Sequence, residues 1–383
     1  MAEQFFIPKK IITGEDALAA AGDRIANMGK KALIVCGPNV RKMAAAEKVM
    51  EELEKRETAY AVYSDITGEP TDRMIDNGAR VYLEEACDFL IGIGGGSPLD
   101  AMKAIALKAV CGGEMADYMG VSVEAKLPPM AAVPTTAGTG SEATQFTIIT
   151  DTKNDVKMLL KGESFMPDLA VVDPEFSVSA PRGVTASTGL DALTHAVEAY
   201  TSRKAQPLTD IFAVSAVRRI FQNLPEAYEN GSSRNARKEM ALAALEAGIA
   251  FNNASVTIVH GMSRPIGALF HVPHGTSNAI LLHPCLKYVM DGAVERFAVL
   301  GREIKAAGGQ DDDKSAAEKF IEEVRKLCRK CGIGSPDCYG IEKEAFLEAV
   351  PKMAEDAVAS GSPANTRKKI QKEDIIKIYQ ALW

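Results

Sequence analysis

The sequence predicts two domains: an α/β domain with a mostly parallel sheet, followed by an all-helical domain. The chain of 383 residues is long enough to bury two separate cores. Its first half alternates short apolar runs with stretches of helical periodicity, whereas its second half has helical periodicity almost throughout. We predict domains at 1–181 and 182–383, with an active site in the cleft between them, because such clefts are preferred ligand sites.

In the first domain, each predicted strand is a short apolar run that ends at glycine, proline or polar residues. The predicted elements are strand 32–37, helix 42–55, strand 58–66, helix 71–86, a strand with a glycine turn and a helix within 88–109, and a strand with a Gly/Thr-rich loop within 130–142. This alternation is typical of a doubly wound sheet, in which ligands bind at the carboxyl ends of the strands.

In the second domain, the sequence indicates helices and no series of strands. The predicted helices are Thr188–Thr201, Thr209–Tyr228, Ala236–Asn253, Ala293–Ala307, Ser315–Cys331, Lys343–Ala357 and Lys372–Leu382. The second half is therefore predicted to be mostly helical.

Composition and charge exclude several classes of partner. The net charge of −7 provides no basic field that would attract nucleic acid or anionic lipid. No apolar run reaches about 18 residues, and the N-terminus lacks the apolar core of a signal peptide. Seven scattered cysteines in a long chain are typical of a reducing compartment. We therefore expect a cytoplasmic protein without a nucleic-acid or membrane partner.

Candidate metal ligands come from two segments of the predicted helical domain. Asp191 and His195 are four residues apart in TGLDALTHAVEAY, so they share one face of a helix. His260 and His274 bracket the second segment, and the four residues together offer three imidazoles and one carboxylate, a set that suits a divalent transition metal. The alternative is a surface Asp–His pair without a metal, because this spacing alone is not specific.

A glycine-rich turn after the third predicted strand is a candidate phosphate site. Gly94, Gly95 and Gly96 let backbone N–H groups approach an anion closely, and the helix that follows favours negative charge at its N-terminus. We predict Ser97 at the N-cap, Pro98 as the first helical residue, and Asp100 at the third helical position, as in a capping box. The alternative is a tight strand-to-helix turn that binds nothing.

A second loop of this kind, VPTTAGTGSE, follows the next strand. The hydroxyls of Thr135, Thr136 and Thr139 can bind ribose and phosphate oxygens. A hydroxyl-rich loop without a ligand is the alternative, but two such loops at strand ends in one domain support each other.

These motifs, in this order, resemble the iron-containing alcohol dehydrogenase family, also called the type III alcohol dehydrogenases. The resemblance runs nearly from end to end of the chain. The segments that carry it are FIPKKIITGEDAL, GGGSPLDAMK, VPTTAGTGSE, PDLAVVDPE, TGLDALTHAVEAY, GIAFNNASVTIVHGMSRPIGALFHVPHG and EDIIKIYQALW.

The resemblance implies that the first domain binds a dinucleotide and that the second binds a metal and the substrate. It implies Fe(II), although Zn(II) can occupy the same ligands, with NAD(H) or NADP(H) as cofactor and a homodimer or larger homo-oligomer. The metal would polarise the substrate oxygen while hydride moves to or from nicotinamide C4. By resemblance the metal ligands are Asp191, His195, His260 and His274, and the cofactor residues are Gly37, Gly94, Gly95, Gly96, Ser97, Asp100, Thr135, Thr136, Thr139 and Lys157. For Lys157, a solvated charge is the alternative.

The sequence departs from the family pattern four residues after His260, where many members have a further histidine. Here the residue is Arg264, which does not readily release a proton. We hypothesise that Arg264 selects an aldehyde with an anionic group, while a structural arginine is the alternative. His271 is the candidate replacement for proton transfer, or else a packed histidine. Phe251 lines the substrate pocket by resemblance, or else belongs to the core.

A second departure concerns the choice of cofactor. NAD-preferring relatives often carry an aspartate just after the first strand, where it binds the ribose hydroxyls and repels a 2′-phosphate. The corresponding residue here is Gly37, and Arg41 and Lys42 follow it. This combination favours NADP(H) or the use of both cofactors, unless the two cations are ordinary helix-surface charges.

The motifs favour a metal-dependent NAD(P)-linked alcohol dehydrogenase or aldehyde reductase that acts on a small primary alcohol or aldehyde. One alternative is a dehydroquinate-synthase-like or glycerol-dehydrogenase-like enzyme with the same architecture. Another is a non-catalytic metal-binding or assembly protein. Stoichiometric release of oxidised cofactor during aldehyde turnover separates the dehydrogenase from a cyclising synthase.

Overall fold

The computed structural model describes residues 2–154 and 156–383, which form two units. The α/β unit runs from Phe6 to Ala180. The helical unit runs from Pro181 to Trp383 and also includes the N-terminal residues up to Phe5. An α/β unit with a parallel sheet followed by a helical unit confirms the predicted fold class.

A six-stranded sheet forms the centre of the α/β unit. The strands of the unit are β1 (Lys10–Thr13), β2 (Lys31–Cys36), β3 (Ala59–Tyr63), β4 (Phe89–Gly94), β5 (Met130–Pro134), β6 (Phe146–Asp151), β7 (Val156–Lys161) and β8 (Leu169–Val172). The sheet has the order β1-β8-β5-β4-β2-β3, and all of its pairings are parallel. The strands β6 and β7 form a separate antiparallel pair.

Helices cover both faces of this sheet. They are α1 (Ala17–Ala26), α2 (Ala44–Glu54), α3 (Asp72–Glu84) and α4 (Gly96–Cys111). The helices α1 and α2 pack with Ile34 and Ile91 in one buried cluster, and α3 and α4 pack with Leu33 and Leu90 in another. Because β2 pairs with β3 on one side and with β4 on the other, the order of the strands reverses there. In doubly wound sheets this reversal marks the ligand site.

The helical unit has nine α-helices and no β-strand among its described residues. The helices are α5 (Arg182–Thr201), α6 (Pro207–Glu229), α7 (Arg234–Ala254), α8 (Ile258–Phe270), α9 (His274–Val289), α10 (Val294–Glu303), α11 (Asp313–Lys330), α12 (Lys343–Ala359) and α13 (Lys372–Gln380). Every residue of α5 from Gly189 to Thr201 is buried, so this part of the helix is surrounded by protein on all sides. In the described part of the chain, no helix by itself has the length and apolarity to cross a membrane; only α7 and α8 together pass that test, and they are bent by 104°.

Several elements do not follow from the sequence patterns. The strands β1 and β8 have only four residues each, and the pair β6–β7 interrupts the alternation of strands and helices. The helices α8 and α9 contain Pro265 and Pro284, and an internal proline normally predicts the end of a helix. Both segments are nevertheless helical, because burial of their apolar residues stabilises them.

A buried lysine joins α4 to the chain segment that follows β5. The side chain of Lys103 is completely buried, and its ammonium group lies 2.8–3.2 Å from the carbonyl and hydroxyl oxygens of Ser141 and Thr144 and from the carbonyl oxygen of Phe146. Burial lowers the pKa of Lys103 to about 8, and the nearby carboxyl groups of Asp100 and Glu142 oppose this shift. The lysine therefore holds the loop after β5 in a fixed position against α4.

We expect the substitution Lys103→Met to destabilise the α/β unit. Methionine has a similar length but removes the ammonium donor from the buried oxygens around it, which costs roughly 3–5 kcal/mol. For a unit of this size, that loss corresponds to a thermal midpoint lower by roughly 10 °C. Differential scanning calorimetry measures the shift.

The matched control is Lys108→Met on the same helix. Lys108 makes a partly exposed ion pair with Asp76, so its loss should change the midpoint little. Equal midpoints for Lys103→Met and the parent would contradict the structural role of Lys103.

Candidate metal centre and cofactor loops

Three of the predicted metal ligands converge inside the helical unit. Asp191 and His195 lie one turn apart on α5, and His260 lies in the first turn of α8. One potential ligand atom from each of these buried residues lies within 4.8 Å of the other two. The helical spacing in the sequence therefore places the carboxylate and the first imidazole toward the same point, and α8 brings the second imidazole to it.

His274, the first residue of α9, completes the group. Its Nε2 atom and the Nε2 atom of His260 each lie 3.7 Å from Oδ1 of Asp191. A tetrahedral site with bonds of about 2.1 Å places its ligands about 3.4 Å apart, so these separations suit one ion. The side chains of Asp191 and His260 are nearly inaccessible, whereas that of His274 is 37% exposed. The group is therefore open on the side of His274.

Two histidines of this group favour the neutral form that binds a metal. Desolvation by the surrounding protein lowers the pKa of His274 to about 3 and lowers the pKa of His260 well below its usual value. Because a neutral imidazole presents a lone pair to a cation, both residues can bind a metal without first losing a proton. The donor chemistry and the spacing of the four residues thus fit a divalent transition metal.

An asparagine that the sequence patterns do not single out contacts three members of the group. Asn278 lies one turn after His274 on α9 and is completely buried. Its Nδ2 atom donates to Oδ1 of Asp191 at 2.7 Å and lies 3.1 Å from the Nε2 atoms of His260 and His274. The amide holds the three side chains together. The spacing of four residues between His274 and Asn278 is the signal that could have identified it.

A buried glutamate on α5 supports His260 from the other side of its ring. Glu198 is fully buried, and its carboxylate accepts hydrogen bonds from the Thr257 hydroxyl and the Val259 N–H and lies 2.5 Å from Nδ1 of His260. Burial raises the pKa of Glu198, while these hydrogen bonds oppose the shift. No sequence motif singles out Glu198, although its position three residues after His195 places it on the same face of α5.

The residues predicted to contact substrate have different surroundings. The ring of Phe251 stacks on His195, with centroids 4.2 Å apart.

Arg264, one turn after His260 on α8, is half-buried and donates to the Ser362 hydroxyl at 3.3 Å. Burial lowers the pKa of Arg264 and the charge of Glu198 opposes this shift, while the charge of Arg264 contributes to lowering the pKa of His274. His271 ends α8 in a left-handed conformation with φ 56° and is exposed, so it is not a packed core histidine.

The start of α4 differs from the predicted capping pattern. The helix begins at Gly96 with Gly95 as its N-cap, and no side chain caps it. The predicted capping box of Ser97 and Asp100 is therefore wrong, because the glycines allow the helix to begin earlier. The Asp100 carboxylate instead accepts hydrogen bonds from the Ser141 hydroxyl at 2.5 Å and the Ile148 N–H at 2.9 Å. Without a side-chain cap, the first N–H groups of α4 are available to an anion.

The two candidate cofactor loops lie next to each other at the ends of β4 and β5. Gly94 has φ 149°, and a Cβ atom there would lie 2.6 Å from the ring of Pro98. A Cβ atom on Gly95 would lie 3.3 Å from the Thr136 hydroxyl, and one on Gly96 would lie 3.0 Å from Thr139. The close approach of the loops brings the hydroxyls beside the open end of α4.

The remaining candidate cofactor residues lie in the same unit. Thr135 is buried and donates its backbone N–H to the Gly94 carbonyl at 2.8 Å. Gly37 follows β2, and a Cβ atom there would lie 2.9 Å from the Ile66 carbonyl oxygen. Arg41 and Lys42 belong to a short 3-10 turn just beyond it. Lys157 on β7 makes an ion pair with Glu69 at 2.7 Å.

Known protein families match both units of the chain. The family model described as "Iron-containing alcohol dehydrogenase" matches residues 8–174. The one described as "Fe-containing alcohol dehydrogenase family, C-terminal" matches residues 185–383. An NAD-dependent methanol dehydrogenase of Bacillus methanolicus is 37% identical over 362 residues, which cover 94% of this chain and 95% of that protein.

Solved structures share the whole fold. The structure of a 1,3-propanediol oxidoreductase has a TM-score of 0.97 at 34% sequence identity and covers 100% of both chains. That of a sulfoacetaldehyde reductase from Bifidobacterium kashiwanohense in complex with NAD+ has a TM-score of 0.87 at 26% identity and covers 100% of this chain and 99% of that one.

We expect the purified protein to bind one divalent metal per chain through the four converging residues. Removal of the metal with a chelator should lower the thermal midpoint, because an ion present at a hundred times its dissociation constant stabilises the folded state by about 2.7 kcal/mol. The substitutions His260→Ala and Asp191→Asn should abolish this stabilisation. Elemental analysis and thermal scans, with and without added Fe(II) or Zn(II), provide the measurement.

His283→Ala is the control, since His283 lies further along α9 and outside the group. It should retain one metal per chain. Equal metal content in all three variants would mean that the ion binds elsewhere.

Proposed function

The chain belongs to the iron-containing alcohol dehydrogenase family, and we propose that it is a metal-dependent, NAD(P)-linked alcohol dehydrogenase or aldehyde reductase for a small substrate. One observation carries the proposal: three imidazoles and a carboxylate converge in the helical unit of a chain whose α/β unit has an uncapped helix at a glycine turn. The first arrangement suits a Lewis-acid metal, and the second suits the pyrophosphate of a dinucleotide.

The proposed chemistry assigns separate tasks to the two groups of residues. When bound, the metal supplies a Lewis acid that stabilises negative charge on the substrate oxygen, and the nicotinamide donates or accepts the hydride. Asp191, His195, His260 and His274 hold the ion. The N–H groups at the start of α4 bind the pyrophosphate, with the Thr136 and Thr139 hydroxyls beside them. His271, exposed at the end of α8, is the proposed group for proton exchange with solvent.

Arg264 supports a preference for a substrate with an anionic group. Its guanidinium is half-buried and lies on the helix that carries His260, and the charge of Glu198 only partly opposes the lowering of its pKa by burial. Burial of a cation is costly, and a carboxylate, sulfonate or phosphonate on the substrate would offset the cost that remains. The related sulfoacetaldehyde reductase is named for an aldehyde of this kind.

The surroundings of Gly37 support the use of NADP(H) or of both cofactors. No acidic side chain stands at this position to repel a 2′-phosphate, and Arg41 and Lys42 follow in the next turn. The crowding of Gly37 by the Ile66 carbonyl means that an aspartate would require the backbone to shift. The two cations therefore provide a cleaner test of cofactor choice than Gly37→Asp.

We expect NADH or NADPH oxidation to accompany reduction of a small aldehyde, with faster turnover when the aldehyde is anionic. The assay is done without oxygen, with Fe(II) and separately with Zn(II), on pairs such as propanal and sulfoacetaldehyde. Oxidised cofactor should be released in a one-to-one ratio with aldehyde consumed. No turnover with any pair, or cofactor that is recycled rather than released, would contradict the dehydrogenase function.

The variants Arg264→His and Arg264→Lys test the basis of the preference. A hydrogen bond to a charged group contributes roughly 1.5–3 kcal/mol, so histidine should lower kcat/KM for the anionic aldehyde by roughly tenfold or more. Lysine, which keeps the charge, should lower it less, and the neutral aldehyde should change little. An unchanged ratio between the two aldehydes in Arg264→His would leave Arg264 as a structural residue.

We expect Arg41→Ala combined with Lys42→Ala to reduce kcat/KM for NADPH by about tenfold, because the 2′-phosphate loses a charge-assisted contact. The value for NADH should stay close to that of the parent. Lys48→Ala is the control, since the Lys48 ammonium is already paired with Glu175. An equal loss with both cofactors would mean that the two cations do not recognise the 2′-phosphate.

A further inference from the structure

We propose that Glu198 is a positioning residue of the metal centre, because its carboxylate fixes His260 in the tautomer whose Nε2 atom can bind a metal. The same carboxylate holds the N-terminus of α8 against α5. The inference rests on the proposed metal-dependent function and adds a residue outside the set of four ligands.

Both oxygens of Glu198 are used by the first turn of α8 and the residue before it. Oε1 accepts from the Thr257 hydroxyl at 2.7 Å and the Val259 N–H at 2.6 Å, while Oε2 lies 2.5 Å from Nδ1 of His260. The charge of Arg264 also acts on this carboxylate. Burial of a carboxylate is costly unless hydrogen bonds satisfy its oxygens, and the contacts with Thr257, Val259 and His260 do so.

The hydrogen-bonding capacity of each group determines the tautomer. Oε1 of Glu198 already accepts from the Thr257 hydroxyl and the Val259 N–H, and Oε2 faces Nδ1 of His260, so the carboxylate is placed to accept a hydrogen bond from Nδ1. In a neutral imidazole, the Nε2 atom then has a lone pair, which faces the Asn278 amide in this structure and can bind a metal instead. That atom is the one that lies 3.7 Å from Oδ1 of Asp191, on the side where the four candidate ligands converge.

The backbone before α8 has an unfavourable conformation, and the helix lacks a side-chain cap of its own. Ser255, between α7 and α8, has φ 64° and ψ 167°, a region that residues other than glycine rarely adopt. The N-cap residue Thr257 makes no side-chain hydrogen bond to its own helix. Glu198 therefore provides the cap for α8 from outside, and one carboxylate sets both the position of the helix and the orientation of its ligand.

The decisive variant is Glu198→Gln, which keeps the size of the side chain. Its amide oxygen can still accept from Thr257 and Val259, but its amide nitrogen would donate to Nδ1 of His260 and move the imidazole proton to Nε2. We expect metal affinity to fall by roughly 10- to 100-fold, the usual effect of removing such an outer partner. Competition with a chelating dye measures the dissociation constants of Zn(II) and Co(II).

A second readout uses ¹⁵N-labelled histidine in the metal-free protein. In the parent, NMR should find the His260 proton on Nδ1, and in Glu198→Gln it should find the proton on Nε2. The signal of His260 is assigned with His260→Ala. A parent protein with the proton on Nε2 would overturn the proposal without any need for the glutamine variant to fold.

The variant Thr257→Val tests the capping of α8 separately from the effect of Glu198 on the His260 ring. It removes one hydrogen bond to the same carboxylate but leaves the contact with His260 in place. We expect a lower thermal midpoint and a metal dissociation constant close to that of the parent. Equal loss of metal affinity in Thr257→Val and Glu198→Gln would show that only helix position matters and would overturn the proposal.

These experiments distinguish failure of the proposed function from failure of the proposed role of Glu198. A parent protein that binds no metal would contradict the metal-dependent function, while the NMR experiment would still decide the tautomer. A parent that binds metal tightly, together with a glutamine variant that binds it equally well, would overturn only the role of Glu198.

Discussion

The burial of polar side chains within α5 is the constraint on which the helical unit depends. Asp191, His195 and Glu198 project from a helix that is surrounded by protein, and a buried polar group is costly unless it has a partner. Glu198 contacts His260 on α8, Asp191 accepts from Asn278 on α9, and the ring of His195 stacks on that of His260. The helices are thus placed by polar contacts as well as by apolar packing, and a register shift of one helix would break several of these contacts at once.

The α/β unit satisfies a similar constraint with a single cation. The ammonium of Lys103 lies among five oxygens of the segment that follows β5, so the loop beside α4 has one favoured conformation. The first N–H groups of α4 are left uncapped next to it. Because the loop beside the N-terminus of α4 already has a fixed conformation, less conformational entropy is lost when an anion binds there.

Features that depend on residues close together in the sequence could be predicted, whereas features that depend on contacts between distant segments could not. The alternation of elements, the i,i+4 pair Asp191 and His195, and the glycine turn are local patterns, so the fold class and the converging residues followed from them. Glu198 acquires its role only through a residue 62 positions later, and Lys103 through carbonyl oxygens about 40 positions later. The capping pattern at Ser97 failed because three glycines permit a helix start that ordinary cap statistics do not describe.

The amide of Asn278 has a consequence for which ion the protein carries. The Asn278 amide gathers Asp191, His260 and His274 around one nitrogen, but it contacts the same atoms that a cation would bind, so the amide must turn away when an ion enters. A ligand set assembled in advance discriminates between ions by its geometry as well as by its ligand types, in addition to the intrinsic order in which zinc exceeds ferrous iron. The metal found in the isolated protein would then reflect both this geometry and the ion supply of the cell in which it was made.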